Sequence, residues 1–203
     1  MRFFRTPPVL PLLYPSLLWR IKTVEKEIYL TFDDGPVPGP TEFVLDTLRS
    51  FHATATFFCI GDNIKKHPEQ FRKVVEAGHA VGNHTFNHLN GWRTSPEEYL
   101  DNIVLCQKQL PPSTTLFRPP FGRIKRSQAS LLRDYRIVMW DVLTYDYDRS
   151  LKSQTSLKGS VEAVRPGSII VFHDSLKAEK NLTYVLPRFM EQCALQGYSF
   201  KAL

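Results

Sequence analysis

The chain has 203 residues, with 26 Lys+Arg against 20 Asp+Glu, a formal excess of six positive charges, and is 42% hydrophobic, 12% aromatic and 23% charged. That is the composition of one ordinary globular domain, long enough to bury a core without disulfides. It excludes a disordered chain, which lacks aromatics to bury, and a repeat architecture, since no segment recurs at a fixed period.

In chain order, Arg2 and Arg5 precede an apolar stretch from Pro8 to Trp19 that imitates a signal peptide. Pro8, Pro11 and Pro15 interrupt it, no small-residue cleavage site follows, and it is too short to span a bilayer. Residues 1–25 are therefore expected to form an extended arm packed on a domain of residues 26–203. No transmembrane span is expected, and the cytoplasm is favoured over export or the cell envelope. Glu27 to Phe32 is a β-rich run stopped by Asp33-Asp34-Gly35-Pro36. Pro40-Thr41 opens a helix with Phe43, Val44, Leu45, Leu48 and Phe51 at helical spacing, and Thr54 to Ile60 is the next strand. A helix from Pro68-Glu69, with Phe71, Val74 and Val75 inward, ends at Gly78 before a short strand at Ala80-Val81. Ser95 caps a helix running to Gln109, and strands follow at Leu116-Phe117, Ile137 to Trp140 and Ser168 to Phe172. A last helix, Leu182 to Leu195, is stopped by Gly197 before a strand at Ser199-Phe200. This alternation predicts a mostly parallel sheet with helices outside it, open or closed into a barrel, whose reactive residues gather at the C-terminal strand ends.

The polar clusters obey that rule. Asp33-Asp34, His84 to His88, Arg118 to Phe121, Asp141 to Asp146 and His173-Asp174 each follow a strand. In Asp33-Asp34 one carboxylate could hold a metal while the other takes protons, although Asp-Gly-Pro is also ordinary turn chemistry. His84 and His88, at i and i+4, would share one face of a helical turn; with a carboxylate they offer two nitrogens and an oxygen to one cation, which suits zinc hydrolysis or non-haem iron chemistry. His52, His67 and His79 lack such partners and are read as surface or structural residues. Cys59, Cys106 and Cys193 contain no CxxC pair, so neither a cysteine zinc site nor a redox motif is indicated, and Cys59 in its apolar run is a core thiol. Arg118, between Phe117 and Pro119, is expected to be buried and to need a carboxylate, for which Asp33 is the candidate. The basic residues are scattered and interleave with no stacking aromatics, so the positive charge does not describe a nucleic-acid face; affinity for an anionic polymer is what it leaves.

Thr31-Phe32-Asp33-Asp34-Gly35-Pro36, His84-Thr85-x-x-His88, Arg118-Pro119-Pro120-Phe121 and Val171-Phe172-His173 together resemble the ordered motifs of the polysaccharide deacetylases, carbohydrate esterase family 4, over residues 28–203. The resemblance implies a distorted (β/α) barrel and hydrolysis of N-acetyl, or O-acetyl, groups on an acetylated glycan such as peptidoglycan or a chitooligosaccharide. It also implies one divalent metal, zinc foremost and cobalt, nickel or iron as alternatives. By the same resemblance Asp34, His84 and His88 would be metal ligands, Asp33 the general base towards a metal-bound water, and His173 the general acid. The backbone N–H of Phe121 would hold the oxyanion beside Pro119, Arg118 would orient Asp33, and Val171 would line an acetyl-methyl pocket. Anchored on Trp140, the family's fourth motif is altered: Leu143 stands where an Asp is usual, and Tyr147 where a Trp is. Asp141, two residues before Leu143 on the same strand face, is then the expected partner of His173, with Asp146 as the second choice. A monomer that binds no nucleic acid is expected. The competing readings are a glycan- or metal-binding protein that has lost catalysis through that motif, and cyclic-amide hydrolysis.

Overall fold

The structure is a computed structural model and describes residues 2–203. Its elements, in order, are α1 (Val9–Leu13), β1 (Glu27–Asp33), α2 (Pro40–Ser50), β2 (Thr56–Cys59), α3 (Gly61–Lys66), α4 (Pro68–Glu76), β3 (Ala80–Asn83), α5 (Pro96–Gln107), β4 (Leu116–Phe117), α6 (Arg126–Leu131), β5 (Arg136–Ile137), β6 (Val142–Leu143), α7 (Ser153–Ala163), β7 (Ile169–His173), α8 (Glu179–Leu195) and β8 (Ser199–Lys201). Seven strands pair in the order β5-β4-β3-β2-β1-β7-β6, every pair parallel, and curl into a half-barrel with helices around it; β8 pairs with the first half of β1. The distorted (β/α) barrel follows.

Strand alternation divides the side chains between two layers. Phe32 of β1 stacks between Phe57 of β2 and Phe172 of β7, at centroid distances of 5.0 and 5.9 Å, and Phe172 meets Phe189 of α8. Under this aromatic row α2 and α8 pack their apolar faces, Val44, Leu45 and Leu48 from one and Leu182, Val185, Leu186 and Phe189 from the other. Thr31, Asp33 and Val171 occupy the opposite face of their strands, which leaves these side chains for the barrel interior and its mouth.

The sheet is open between β5 and β6, and the N-terminal segment runs there. Leu18 bridges Val138 in parallel, while Arg20 bridges Ser168 and Arg5 bridges Val142 in antiparallel sense. The expected strand Ile137 to Trp140 is accordingly cut short: β5 ends at Ile137, Val138 makes only the bridge to Leu18, Met139 and Trp140 lie in no strand, and β6 begins beyond them at Val142. Its middle carbonyls, those of Val138 and Met139, accept hydrogen bonds from Arg118 at 3.3 and 2.9 Å and are withdrawn from a regular ladder. Val75, expected inward, is exposed, because Val74 alone is fully buried on α4. Helices α1, α3, α6 and α7 have no counterpart in the sequence reading: three have five or six residues, too few to show a period, and α7 buries Ser156 and Ser160 beside Leu157 and Ala163. No helix among the described residues is long and apolar enough to cross a membrane. All three cysteines are buried and free.

Candidate active site

The C-terminal strand ends enclose a cavity of about 520 Å³ with Asp33, Asp34, His84, His88 and His173 in its wall. Asp33 ends β1 in register with His173 on β7. Arg118, wholly buried, donates from Nη1 to Asp33 Oδ1 at 2.7 Å and to Thr31 Oγ1 at 2.7 Å, and its guanidinium lies 4.1 Å over the Phe58 ring. With the two carbonyls already named, the buried cation is satisfied on every side that faces protein, the condition under which a buried ion pair is tolerated.

Asp34 takes a left-handed backbone (φ 80°), and its carbonyl is held by the Asn63 side chain at 2.7 Å. Gly35 must be glycine because a Cβ there would overlap the Asp174 carboxylate, which accepts the Gly35 N–H at 3.0 Å and the Thr41 hydroxyl at 2.7 Å. Burial pushes the Asp174 carboxyl up to about 8, against the opposing pull of the Thr41 and Gly35 hydrogen bonds.

The His84–His88 segment is not the helical turn expected from its spacing. Thr85 (φ 62°) and His88 (φ 55°) are left-handed, and the two imidazoles converge through a loop, with ring centroids 5.1 Å apart. Two side-chain amides fix that loop: Asn83 Oδ1 accepts the Thr85 N–H at 2.9 Å, and Asn102 of α5 accepts those of Phe86 and Asn87 at 2.8 and 2.9 Å. Such strain persists where the surroundings over-determine it. These asparagines escape sequence reasoning, since an Asn within a helix or at a strand end carries no distinctive signal.

The donors fit a divalent cation. His84 Nδ1 lies 2.7 Å from the Arg118 carbonyl, so that nitrogen carries the proton and Nε2 keeps a lone pair. Burial lowers the His84 pKa to about 4, which keeps the ring neutral. Asp34 Oδ1 is buried without a hydrogen-bond partner, with His88 Nε2 at 3.2 Å and His84 Nε2 at 3.7 Å. One ligand atom from each of Asp34, His84 and His88 lies within 4.8 Å of the others. Burial works against ionisation of Asp34, but the neighbouring His88 and His173 outweigh it and hold the carboxyl well below the usual range.

At the end of β7, beside β1, His173 Nδ1 lies 2.8 Å from Asp146 Oδ1, and its backbone N–H donates to Asp146 Oδ2 at 2.7 Å. Burial opposes charge on the ring, yet Asp146, with Asp34 and Asp33 beyond, prevails and raises His173 to about 9. Asp141, the expected partner, does not reach His173. It is buried against Arg165, which donates to it at 2.9 and 2.6 Å, and against Ser168 at 2.7 Å. Strand alternation misleads there because the chain leaves the ladder around Trp140; Leu143 and Tyr147 turn into the cavity, and the Tyr147 ring stands 4.8 Å edge-on to His173. Tyr145 (φ 56°) and Asp146 together re-aim the segment.

Val171, Trp140 and Phe121 also line the cavity, Phe121 with φ 60° and its ring 4.5 Å from that of His88. Pro119 is buried and its carbonyl accepts the Gly122 N–H at 3.0 Å. His52 and His67 take no part, and His79 is half-buried with its ring 5.3 Å from Phe57.

Residues 20–140 match the family described as Polysaccharide deacetylase. A peptidoglycan-N-acetylglucosamine deacetylase of Bacillus cereus is 33% identical over 189 residues, 90% of this chain and 88% of its own. A second Bacillus cereus protein of that name is longer, and the alignment spans 56% of it. A chitooligosaccharide deacetylase of Azorhizobium caulinodans is 36% identical over 76% of this chain and 77% of its own. Among solved structures, the Bc1960 peptidoglycan N-acetylglucosamine deacetylase, in complex with 4-naphthalen-1-yl-N-oxidanyl-benzamide, superposes with a TM-score of 0.89 at 27% identity, covering 98% of this chain and 95% of that one. Motif order, strand-end geometry and likeness over nearly the full length converge, and the chain belongs to the polysaccharide deacetylase family, carbohydrate esterase family 4, as a deacetylase-type hydrolase.

Proposed function

We propose that this protein removes acetyl groups, N-acetyl foremost and O-acetyl in principle, from an acetylhexosamine glycan with the aid of one divalent cation held by Asp34, His84 and His88. The observation that carries the reading is the convergence of Asp33 and His173, register partners on adjacent strands, with a three-donor cluster in the wall of one cavity. Two imidazole nitrogens and one carboxylate oxygen suit zinc, and also cobalt, nickel or iron. When bound, the cation supplies Lewis-acid polarisation of the acyl oxygen and acidifies water in the site.

The chain's own residues do the rest. Asp33, fixed by Arg118, accepts a proton from the attacking water. The Phe121 backbone N–H is the proposed donor to the developing oxyanion. As the C–N bond breaks, His173 gives its Nε2 proton to the departing amine nitrogen, so acetate and a free amino sugar result. A ring raised to about 9 is charged near neutrality and able to do this. Val171 and Leu143 offer an apolar surface to the acetyl methyl, and Trp140 and Tyr147 offer aromatic surface to sugar. The reading of a binding protein without catalysis rested on a fourth motif lacking its carboxylate; the contact of Asp146 with His173 supports catalysis against it. Relatives named for peptidoglycan and for chitooligosaccharide support both as substrates; with peptidoglycan the site would work outside the cytoplasmic membrane, not in the cytoplasm.

The test is acetate release from both glycans after loading with zinc, cobalt, nickel or iron. Chelation should abolish release, metal should restore it, and His84→Ala should lose it. Release indifferent to chelator and to His84→Ala would overturn the proposal.

A further inference from the structure

The positive charge left over from the composition has a location. Residues 2–24 carry four basic and no acidic side chains, and residues 122–136 carry five basic and one acidic, so their excess of eight is larger than the whole chain's six. The two segments meet where α1 and the residues after it lie against α6, across a groove of about 440 Å³. Lys125, Arg126 and Arg133 line that groove, and no carboxylate does. The Arg126 guanidinium sits 5.5 Å over the Tyr14 ring.

Beside these cations is an apolar surface that nothing in the fold covers. None of the five residues of α1 is buried; Leu12 is 78% exposed, Leu13 55% and Val9 53%. This is no frayed end. Before α1, Thr6 donates its N–H to the Asp141 carbonyl at 2.8 Å and its hydroxyl to the Trp140 carbonyl at 2.7 Å. After it, Leu17 and Trp19 are buried, Trp19 Nε1 donates to the Tyr14 carbonyl at 3.0 Å, and Leu18 bridges Val138. The turn is thus presented from an anchored strap, with contiguous leucines outward and arginines at its flank.

We infer that the α1–α6 face docks on an anionic lipid surface, α1 entering the headgroup–acyl boundary while Arg126 and Arg133 meet lipid phosphates. A polyanion would call for the cations but not for exposed Val9, Leu12 and Leu13; a purely apolar partner would call for the leucines but not for a groove free of carboxylates. Charge complementarity and exposed aliphatic side chains on one anchored turn are together the marks of interfacial binding. The strap that carries α1 also holds Trp140, which lines the catalytic cavity, so docking acts on an element joined to that wall.

The experiment is co-sedimentation of the full chain with vesicles of phosphatidylcholine alone and of phosphatidylcholine mixed with phosphatidylglycerol, with dextran sulfate as a lipid-free polyanion. The protein should pellet with the mixed vesicles and not with phosphatidylcholine alone, and salt should release it. The double variant Leu12→Ser, Leu13→Ser should partition at least about tenfold less, and Arg126→Ala with Arg133→Ala should weaken binding to the anionic vesicles. Both variants should melt as the parent does and release acetate from a chitooligosaccharide at the parental rate. Three results would each overturn the inference: no binding to the mixed vesicles; vesicle binding indifferent to the leucine pair; or light scattering that shows a dimer which the leucine pair dissociates, placing a second copy on this face. The vesicle readout needs no catalysis, so its failure and failure of the deacetylase reading are distinguishable.

Discussion

Replacing Asp146 with asparagine removes one carboxylate charge while keeping a side chain of nearly the same shape beside His173. In the parent, His173 is raised from 6.5 to about 9 against the pull of burial, a displacement on the order of 3 kcal/mol between its protonation states. Asp146 is the nearest carboxylate and bonds both the ring and the backbone N–H. Without its charge, burial returns the ring towards 6.5 or lower. A general acid works only while protonated, so the basic limb of kcat should move down in pH. On these values the protonated fraction at about pH 8 falls from roughly nine-tenths to roughly 3%, about a thirtyfold loss of kcat, whereas at about pH 6 the loss is less than about twofold. A cation at Asp34 withdraws part of the support for the charged ring, so the parental limb lies at or below about 9. The assay is acetate release against pH for parent and Asp146→Asn, with kcat resolved from KM. An unmoved basic limb in an active variant, or equal loss at pH 6 and pH 8, would refute the assignment of Asp146 as the group that tunes His173.

Asp141→Asn should behave differently: its pair with Arg165 and Ser168 is structural, so stability should fall by about 1–3 kcal/mol in denaturant titration while the pH profile keeps the parental limb. Arg118→Met strands Asp33 and breaks the ties to Thr31, Val138 and Met139, which should cost about 3–5 kcal/mol by the same measurement; a loss below about 1 kcal/mol would contradict its role as the buried keystone of the mouth. Gly159→Leu collides with the Phe4 ring and should lift the arm, at a cost of about 1–3 kcal/mol and with faster proteolysis before Thr6. Unchanged proteolysis would mean that Phe4 does not pin the arm.

Much of the site was legible because its residues obey a rule of parallel sheets. Asp33, His84, Arg118 and His173 each follow a recognisable strand, and a strand end has only one direction in which to point at the mouth. Ser95, capping α5 through its Oγ at 3.2 Å from the Glu98 N–H, was readable for a similarly local reason. What escaped was backbone that no local pattern announces. Left-handed turns at Asp34, Thr85, His88, Phe121 and Tyr145 aim the reactive side chains, and side chains other than glycine hold all five. The choice between Asp141 and Asp146 failed for a tertiary reason: Arg118, distant in sequence, takes the carbonyls that would have continued the strand, and regular alternation ends at Trp140. The exposed leucines of α1 belong to the same class, since a Pro-broken apolar run reads alike whether it is packed or presented to a surface.

The central claim, that Asp33 takes a proton beside a cation it does not ligate, is tested most directly in Asp33→Asn. Metal content and acetate release should be measured together on parent and variant loaded with zinc. The variant should retain one zinc per chain and lose acetate release. Full release by the variant, or loss of zinc together with activity, would contradict the account.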